Sequence, residues 1–457
     1  MNAATLILLA YIPVAVAIFA MLPPRRAFLW VVFGGFLFLP VAALQIPVLA
    51  DYGKSTAPAY VALLCTLIFH PRLLLEYRPR WFDLPMAFWT VWQVVPSVAN
   101  GHGWYDGLHQ TMNFFGGWGL TYLLARCYFT RPEHLREVAM AVVGCVLVYT
   151  PLILFELRMS PHLHFYLYGY HPASFWDMMR MGGWRPVVFM QHGLALALLV
   201  FASAAIAGWV WWHRRKVGLT HVGPLPLGWA ALGLAVLSVA MRSAGALLIF
   251  ALIASVMVAS RGGRWKWVLA VPVVLMPLHI GSRLLEVSDG RWMIDWTNRI
   301  FPAEHGRAGS LDARLNQEDT EIPRILAKPW TGWSNWSTGQ DQLWLLLARN
   351  TGLPSLAAWM ATFSLPLLLC LRADLRRRVD LLVYGVPLGL VLVAWVMDGF
   401  FNGMYNPMWV VSAAAVMTAA TSPLQVPRPA RAAAKREGVA AAGRARAMAQ
   451  PVVYGRR

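Results

Sequence analysis

The run GSRLLEVSDGRWMIDWTNRIFPAEHGRAGSLDARLNQEDTEIPRILAKPWTGWSNWSTGQ (281–340) stands as a polar island between two hydrophobic halves, and DQLWLLLARNTGLPSL (341–356) leads out of it. From Arg283 to Lys328 the island carries too much charge to sit in lipid, where ionisable side chains are costly. Its flanks are long apolar runs, so the island reads as a large loop set into a membrane protein, and as the first place to look for chemistry.

Composition agrees. Of 457 residues, 58% are hydrophobic and 13% charged, against about a quarter charged in soluble domains. A bilayer core asks for about 20 apolar residues per helix, and on that rule roughly thirteen stretches qualify as spans. They include 4–22, 27–49, 82–99, 188–212, 353–371, 379–398 and 404–421, while 57–70 is short. The expected fold is therefore all-α: a polytopic transmembrane helical bundle of about 12–13 spans, with a large extracytoplasmic loop of short helices between late spans. Residues 1–421 form the integral domain, with extracytoplasmic insertions at 158–186 and 281–340. The stretch 422–457, rich in Ala, Arg and Gly, has too little apolar surface to fold and reads as a disordered basic tail beside anionic lipid.

The net charge of +18 would suggest a nucleic acid as partner in a soluble protein. Here the basic residues fall between apolar runs: Arg25 and Arg26, then Arg72 to Arg80, Arg126 to Arg136, Arg214 to Lys216, Arg261 to Lys266 and Arg372 to Arg378. These are alternate connections, so simple alternation of spans puts them all on one side, as the positive-inside rule requires. That side and the tail are then cytoplasmic, the N-terminus is outside, and both long insertions face away from the cytoplasm. No basic segment precedes the first apolar run, which reads as a span and not as a cleaved signal peptide. The four cysteines, Cys65, Cys127, Cys145 and Cys370, share no metal-binding spacing and outline no disulfide framework. No cofactor, no metal and no nucleic acid is expected.

Two arginines stand out by position. Arg185 precedes an apolar run in GGWRPVVFMQHG, and Arg242 sits in the tight connection VAMRSAG; both fall at the outer face. A guanidinium there needs an anionic partner, and its planar fork suits phosphate oxygens, although snorkelling to lipid headgroups would also satisfy it. Aromatic residues crowd the outer insertions, from Phe165 to Trp184 and from Trp292 to Trp336. They suit either an interfacial belt or a surface on which sugar rings stack.

The order of motifs in SLDARLNQEDTEIPRILAKPWTGWSNW followed by DQLWLLLARNTGLPSL resembles the signature region of the O-antigen ligase and O-antigen polymerase family. Arg314 matches its loop arginine, Pro329 and Gly332 its turn, and Gly352, Leu353 and Pro354 its closing motif; Lys328 and Ser355 depart from the pattern. Arg185 and Arg242 match the family's two arginines at the outer ends of membrane helices. The resemblance covers about 185–356 and implies a bacterial inner-membrane enzyme with a periplasmic active face. Such an enzyme transfers a glycan from a polyprenyl-pyrophosphate donor to a hydroxyl of lipid A core or of another glycan, without a metal ion. Arg185, Arg242 and Arg314 would bind the pyrophosphate. The family's His-Asn pair falls on Asp341 and Gln342. Asp341 can serve as a base or simply cap the following helix, and His305 is a second candidate for the base. His192 reads as a helix-packing residue or a ligand, and Asp398 as an interfacial carboxylate.

Two other classes remain open on the sequence: a transporter or flippase of lipid-linked sugars, and an inactive scaffold for other polysaccharide assembly proteins.

Overall fold

The structure, a computed structural model, describes residues 3–46, 50–180, 182–300, 307–334 and 342–423. Helices dominate them, and the strands described are three hairpins of two-residue strands. Six described helices are long and apolar enough to cross a membrane: Ala3–Met21, Pro132–Met159, Gly193–Val217, Lys266–Leu284, Leu343–Arg372 and Leu381–Asp398. Four shorter apolar helices accompany them: Ala57–Phe69, Leu227–Ala240, Ala244–Ala259 and Pro407–Thr421.

The Leu381–Asp398 helix is the centre, with 94% of its apolar window buried, while Ala3–Met21 buries only 28%. On that outer helix Leu6, Leu9 and Val14 are exposed. An apolar surface of this kind is stable against lipid and not against water. Some of the tryptophans serve the interior. Trp89, Trp209, Trp344, Trp359, Trp395 and Trp409 are fully buried, and Trp395 packs on Trp118, Trp359 and Phe363 at centroid distances of 5.7, 5.6 and 4.7 Å.

Several apolar stretches are not continuous helices. The helix Pro24–Phe38 ends well inside 27–49, where Leu39 turns to extended backbone before Pro40. The stretch 82–99 divides into Leu84–Val91 and Val94–Ala99. Within 188–212, helix begins only at Gly193, and residues 187–190 form a buried loop. Hydropathy registers burial and not backbone hydrogen bonding, so it cannot tell a buried loop from a helix.

The six basic connections meet at one end of the bundle. Arg25 Nε lies 2.9 Å from Glu137 Oε1, and Arg126 Nη1 donates to Thr418 Oγ1 at 2.6 Å. Arg378 donates to the carbonyls of Ala419 and Ala420. Lys266 donates to Ala373 O, and His213 Nε2 meets Gly262 O. The three helices Pro24–Phe38, Leu135–Met159 and Pro407–Thr421 run from this end to the insertions. The Leu135–Met159 helix has 25 residues, which is about 37 Å at 1.5 Å per residue.

Candidate functional site

At the opposite end, the segment ahead of Gly193–Val217 is held by a carboxylate that sequence reading passed over. Glu156, fully buried near the end of Leu135–Met159, accepts the N–H groups of Val187 and Val188 at 2.7 Å each and of Leu163 at 3.1 Å. A buried acceptor with three backbone donors replaces the hydrogen bonds that a loop inside a bundle would otherwise lack. It also holds Val188 at φ +55°, a left-handed conformation that a β-branched residue adopts only under constraint. The available signal was FELRM, a lone carboxylate closing an apolar run. His192 is the N-cap of Gly193–Val217, its Nδ1 accepting Leu194 N–H at 3.1 Å.

This loop presents Arg185, which is only 8% exposed. Its Nη2 donates to Arg242 O at 3.3 Å, and Arg242 Nη1 in turn donates to Arg180 O at 3.4 Å. Both side chains lie on glycines. A Cβ at Gly193 would come within 2.5 Å of Arg185 Cδ, and one at Gly183 would collide with the Arg242 guanidinium. Arg242 itself has φ +52° in the connection between Leu227–Ala240 and Ala244–Ala259. The two arginines, remote in sequence, thus form one interlocked pair on the hairpin Met179–Arg180/Gly183–Trp184.

Aromatic rings extend from the pair. Phe175 packs on Trp184 at 5.0 Å and on His162 at 4.7 Å, His162 stacks on Tyr166 at 5.7 Å, and Phe165 stacks on His171 at 5.1 Å. Tyr166 and Trp176 are largely exposed. His164 anchors this insertion to the end of Pro24–Phe38: its Nδ1 meets Tyr170 O at 2.8 Å and its Nε2 accepts Val41 N–H at 3.4 Å.

Burial is the main reason that the His164 pKa falls to about 4, with the neighbouring Lys54 ammonium and His171 adding to it. The neutral ring is the one that fits. A folded pKa below the unfolded value of about 6.5 means that the unfolded chain binds the extra proton between the two. Stability from this group is complete above pH 6.5 and lost as pH falls toward 4. We expect the melting temperature to drop between pH 7 and pH 4.5, and the drop to shrink in His164→Gln, as read by scanning fluorimetry.

Arg314 lies on the island helix Arg307–Ala327 and is engaged by the protein itself. Its Nε donates to Phe401 O at 3.0 Å and its Nη1 to Ser310 O at 3.0 Å and to Ser310 Oγ at 2.5 Å, while Nη2 lies 3.5 Å from Asn402 Oδ1. Gln342 holds it from behind, donating to Arg314 O at 2.8 Å and accepting from Trp344 Nε1 at 2.8 Å. Gln342 occupies the N-cap position of Leu343–Arg372. Asp398, the last residue of its helix, is 4% exposed and accepts from Asn402 Nδ2 at 2.8 Å. The same 401–406 loop that receives Arg314 also receives Gln191, from the Arg185 loop, at Tyr405 O (3.0 Å). The sites of Arg185, Arg242 and Arg314 therefore share one end of the bundle. Asp341 and His305 lie outside the described residues.

Two motif fragments from the sequence pack against each other. Leu343–Arg372 breaks at Gly352 (φ 80°, ψ 170°), where Leu353 N–H turns out to Pro329 O at 2.7 Å. Trp333 and Ser334 N–H reach back to the carbonyls of Arg349 and Asn350 at 2.8 and 2.9 Å. A Cβ at Gly332 would stand 2.5 Å from the Asn350 carbonyl carbon, and one at Gly352 would strike Trp330 O. Beneath the turn, Arg349 Nε lies 2.9 Å from Glu321 Oε2, both buried. Arg283 pairs with Glu318 at 2.8 Å and with Asp319 at 2.5 Å, tying the island helix to Lys266–Leu284. No family model matches the chain, and no curated protein sequence is significantly similar to it.

Proposed function

We propose that this protein is a bacterial inner-membrane glycosyltransferase of the O-antigen ligase or polymerase type, moving a glycan from a polyprenyl-pyrophosphate donor to a hydroxyl acceptor at the periplasmic face. The interlocked Arg185–Arg242 pair at the outer bundle end carries this reading. With the Arg242 guanidinium on Gly183 and the Arg185 stem on Gly193, the two planar forks suit the two phosphates of a pyrophosphate leaving group. The aromatic rings beside them offer faces for the sugars of the donor. The packing of the Pro329–Gly332 turn on Gly352 adds support, because these are the fragments on which the family resemblance rests.

In this reading the basic end is cytoplasmic and the insertions are periplasmic. The acceptor oxygen attacks the anomeric carbon as the bond from that carbon to the pyrophosphate oxygen breaks. Negative charge then grows on the leaving group, where the arginines stabilise it more than in the ground state. The acceptor proton passes to a base, for which Asp341 is the first candidate and His305 the second. Arg314 and Gln342 hold the island over the site.

A transporter reading is less favoured. In the apolar helices, buried ionisable residues such as Glu156, Asp398 and Arg126 lie near helix ends, whereas a translocation path would place them in mid-span. Purified protein in liposomes, given a labelled polyprenyl-pyrophosphate glycan and an acceptor, is expected to form glycosidic product. Movement of the donor across the bilayer without product would overturn the proposal.

A further inference from the structure

We propose that the basic cavity at the other end of the bundle, remote from the Arg185 loop, is a binding site for a phosphate-bearing ligand. The cavity has a volume of about 990 Å³ and is walled by the start of Pro24–Phe38, the 69–80 segment, the end of Leu120–Tyr128, the 130–137 turn and Thr418. That is room for a phosphate with an organic body, in the upper range of small-molecule sites.

Its charge is unbalanced. Of the arginines lining it, Arg25 is paired with Glu137 and Arg126 with Asp83. Arg72, Arg78, Arg80 and Arg131 form no ion pair with any described residue, and the remaining carboxylates in the wall, Glu76 and Glu133, are too few to neutralise them. The Nε2 of His70, also in the wall, is buried without a hydrogen-bond partner among the described residues.

The frame is built and not merely basic. Asp83, 6% exposed, accepts from Arg126 Nε at 2.8 Å, Tyr122 OH at 2.7 Å and Arg80 N–H at 2.8 Å, and Arg126 Nη2 donates to Arg78 O at 3.3 Å. A buried, fully bonded ion pair thus fixes the segment that carries Arg78 and Arg80. Arginines in other basic connections are disposed differently: Arg214 and Arg261 lie over the rings of Trp211 and Trp265 at 4.6 and 4.3 Å. Several guanidiniums converging on a cavity with partly apolar walls, including Phe69 and Tyr128, select a phosphate attached to an organic group. The ligand is either a lipid headgroup entering from the bilayer or a soluble phosphate compound, and the site is independent of the transfer reaction.

The test uses the full chain in detergent, read by native mass spectrometry and by melting temperature. Three probes are compared: phosphatidylglycerol, phosphatidylcholine and inorganic pyrophosphate. The variant Arg78→Gln/Arg131→Gln is set against the charge-matched Arg214→Gln/Arg215→Gln, all four substitutions lying on the surface or at its edge. We expect phosphatidylglycerol or pyrophosphate to bind in preference to phosphatidylcholine, and to bind at least tenfold more weakly to the first variant but not to the second. Retention of phosphatidylglycerol alone assigns a lipid headgroup, and protection by pyrophosphate assigns a soluble ligand. Equal weakening in both variants, or no preference for either anionic phosphate over zwitterionic phosphatidylcholine, whose own ammonium offsets its phosphate, overturns the proposal.

Discussion

Arg185→Ala/Arg242→Ala is expected to lower glycan transfer from a lipid-linked donor by at least about a thousandfold, since removing a single preorganised donor to developing charge typically costs 10²–10³. The effect follows from how the pair is made. Arg185 is buried and its loop is held by Glu156, so little reorganisation is needed when charge appears on the leaving group. Arg185→Lys is expected to fall in between, because an ammonium keeps the charge and loses the fork. Initial rates with labelled donor, on protein whose melting temperature is unchanged, make the measurement. A double variant within about threefold of the unmodified protein would exclude the pair from the reaction.

Gly352→Ala is expected to unfold the junction between island and bundle. At φ 80° and ψ 170° the residue occupies a region that is essentially reserved for glycine, and a Cβ would strike the carbonyl oxygen of Trp330. Strain of this kind costs about 1–3 kcal/mol before the clash with fixed backbone is added. The Leu353 N–H bond to Pro329 O and the contacts from Trp333 and Ser334 would be lost together. Gly144→Ala is the control, since a Cβ there meets nothing within 4 Å. Scanning fluorimetry should show a melting temperature lowered by several degrees for Gly352→Ala, with little change for Gly144→Ala. Equal behaviour of the two variants would remove the junction from the structure's essential contacts.

Much of this architecture was legible from local properties of the chain. Hydropathy marked the apolar segments but overstated how many of the described ones are full-length spans, six by length and composition, and the predicted span 353–371 begins where Gly352 breaks the helix, because GLP both stops one helix and starts the next. Residues 353–372 give about 30 Å of helix, enough for a bilayer. Positions of Arg and Lys identified the basic end. Arg185 and Arg242 were legible as lone charges beside apolar runs.

What the sequence determined by itself is therefore the helical membrane class, the alternation of basic connections and the candidate arginines, all of which follow from properties that are additive along the chain. The tertiary structure alone decided that Arg185 and Arg242 interlock, that Gly183 and Gly193 make room for them, and that Glu156 supports their loop. It alone decided too that the turn at Gly332 closes on Gly352. Apart from the fit of Arg185 on Gly193, eight positions away, each of these depends on hydrogen bonds or steric fit between residues far apart in sequence, 31 positions for Glu156 and Val187 and 57 for Arg185 and Arg242. No local window of composition or periodicity contains both partners, and the energy of such a contact exists only once the helices have brought them together.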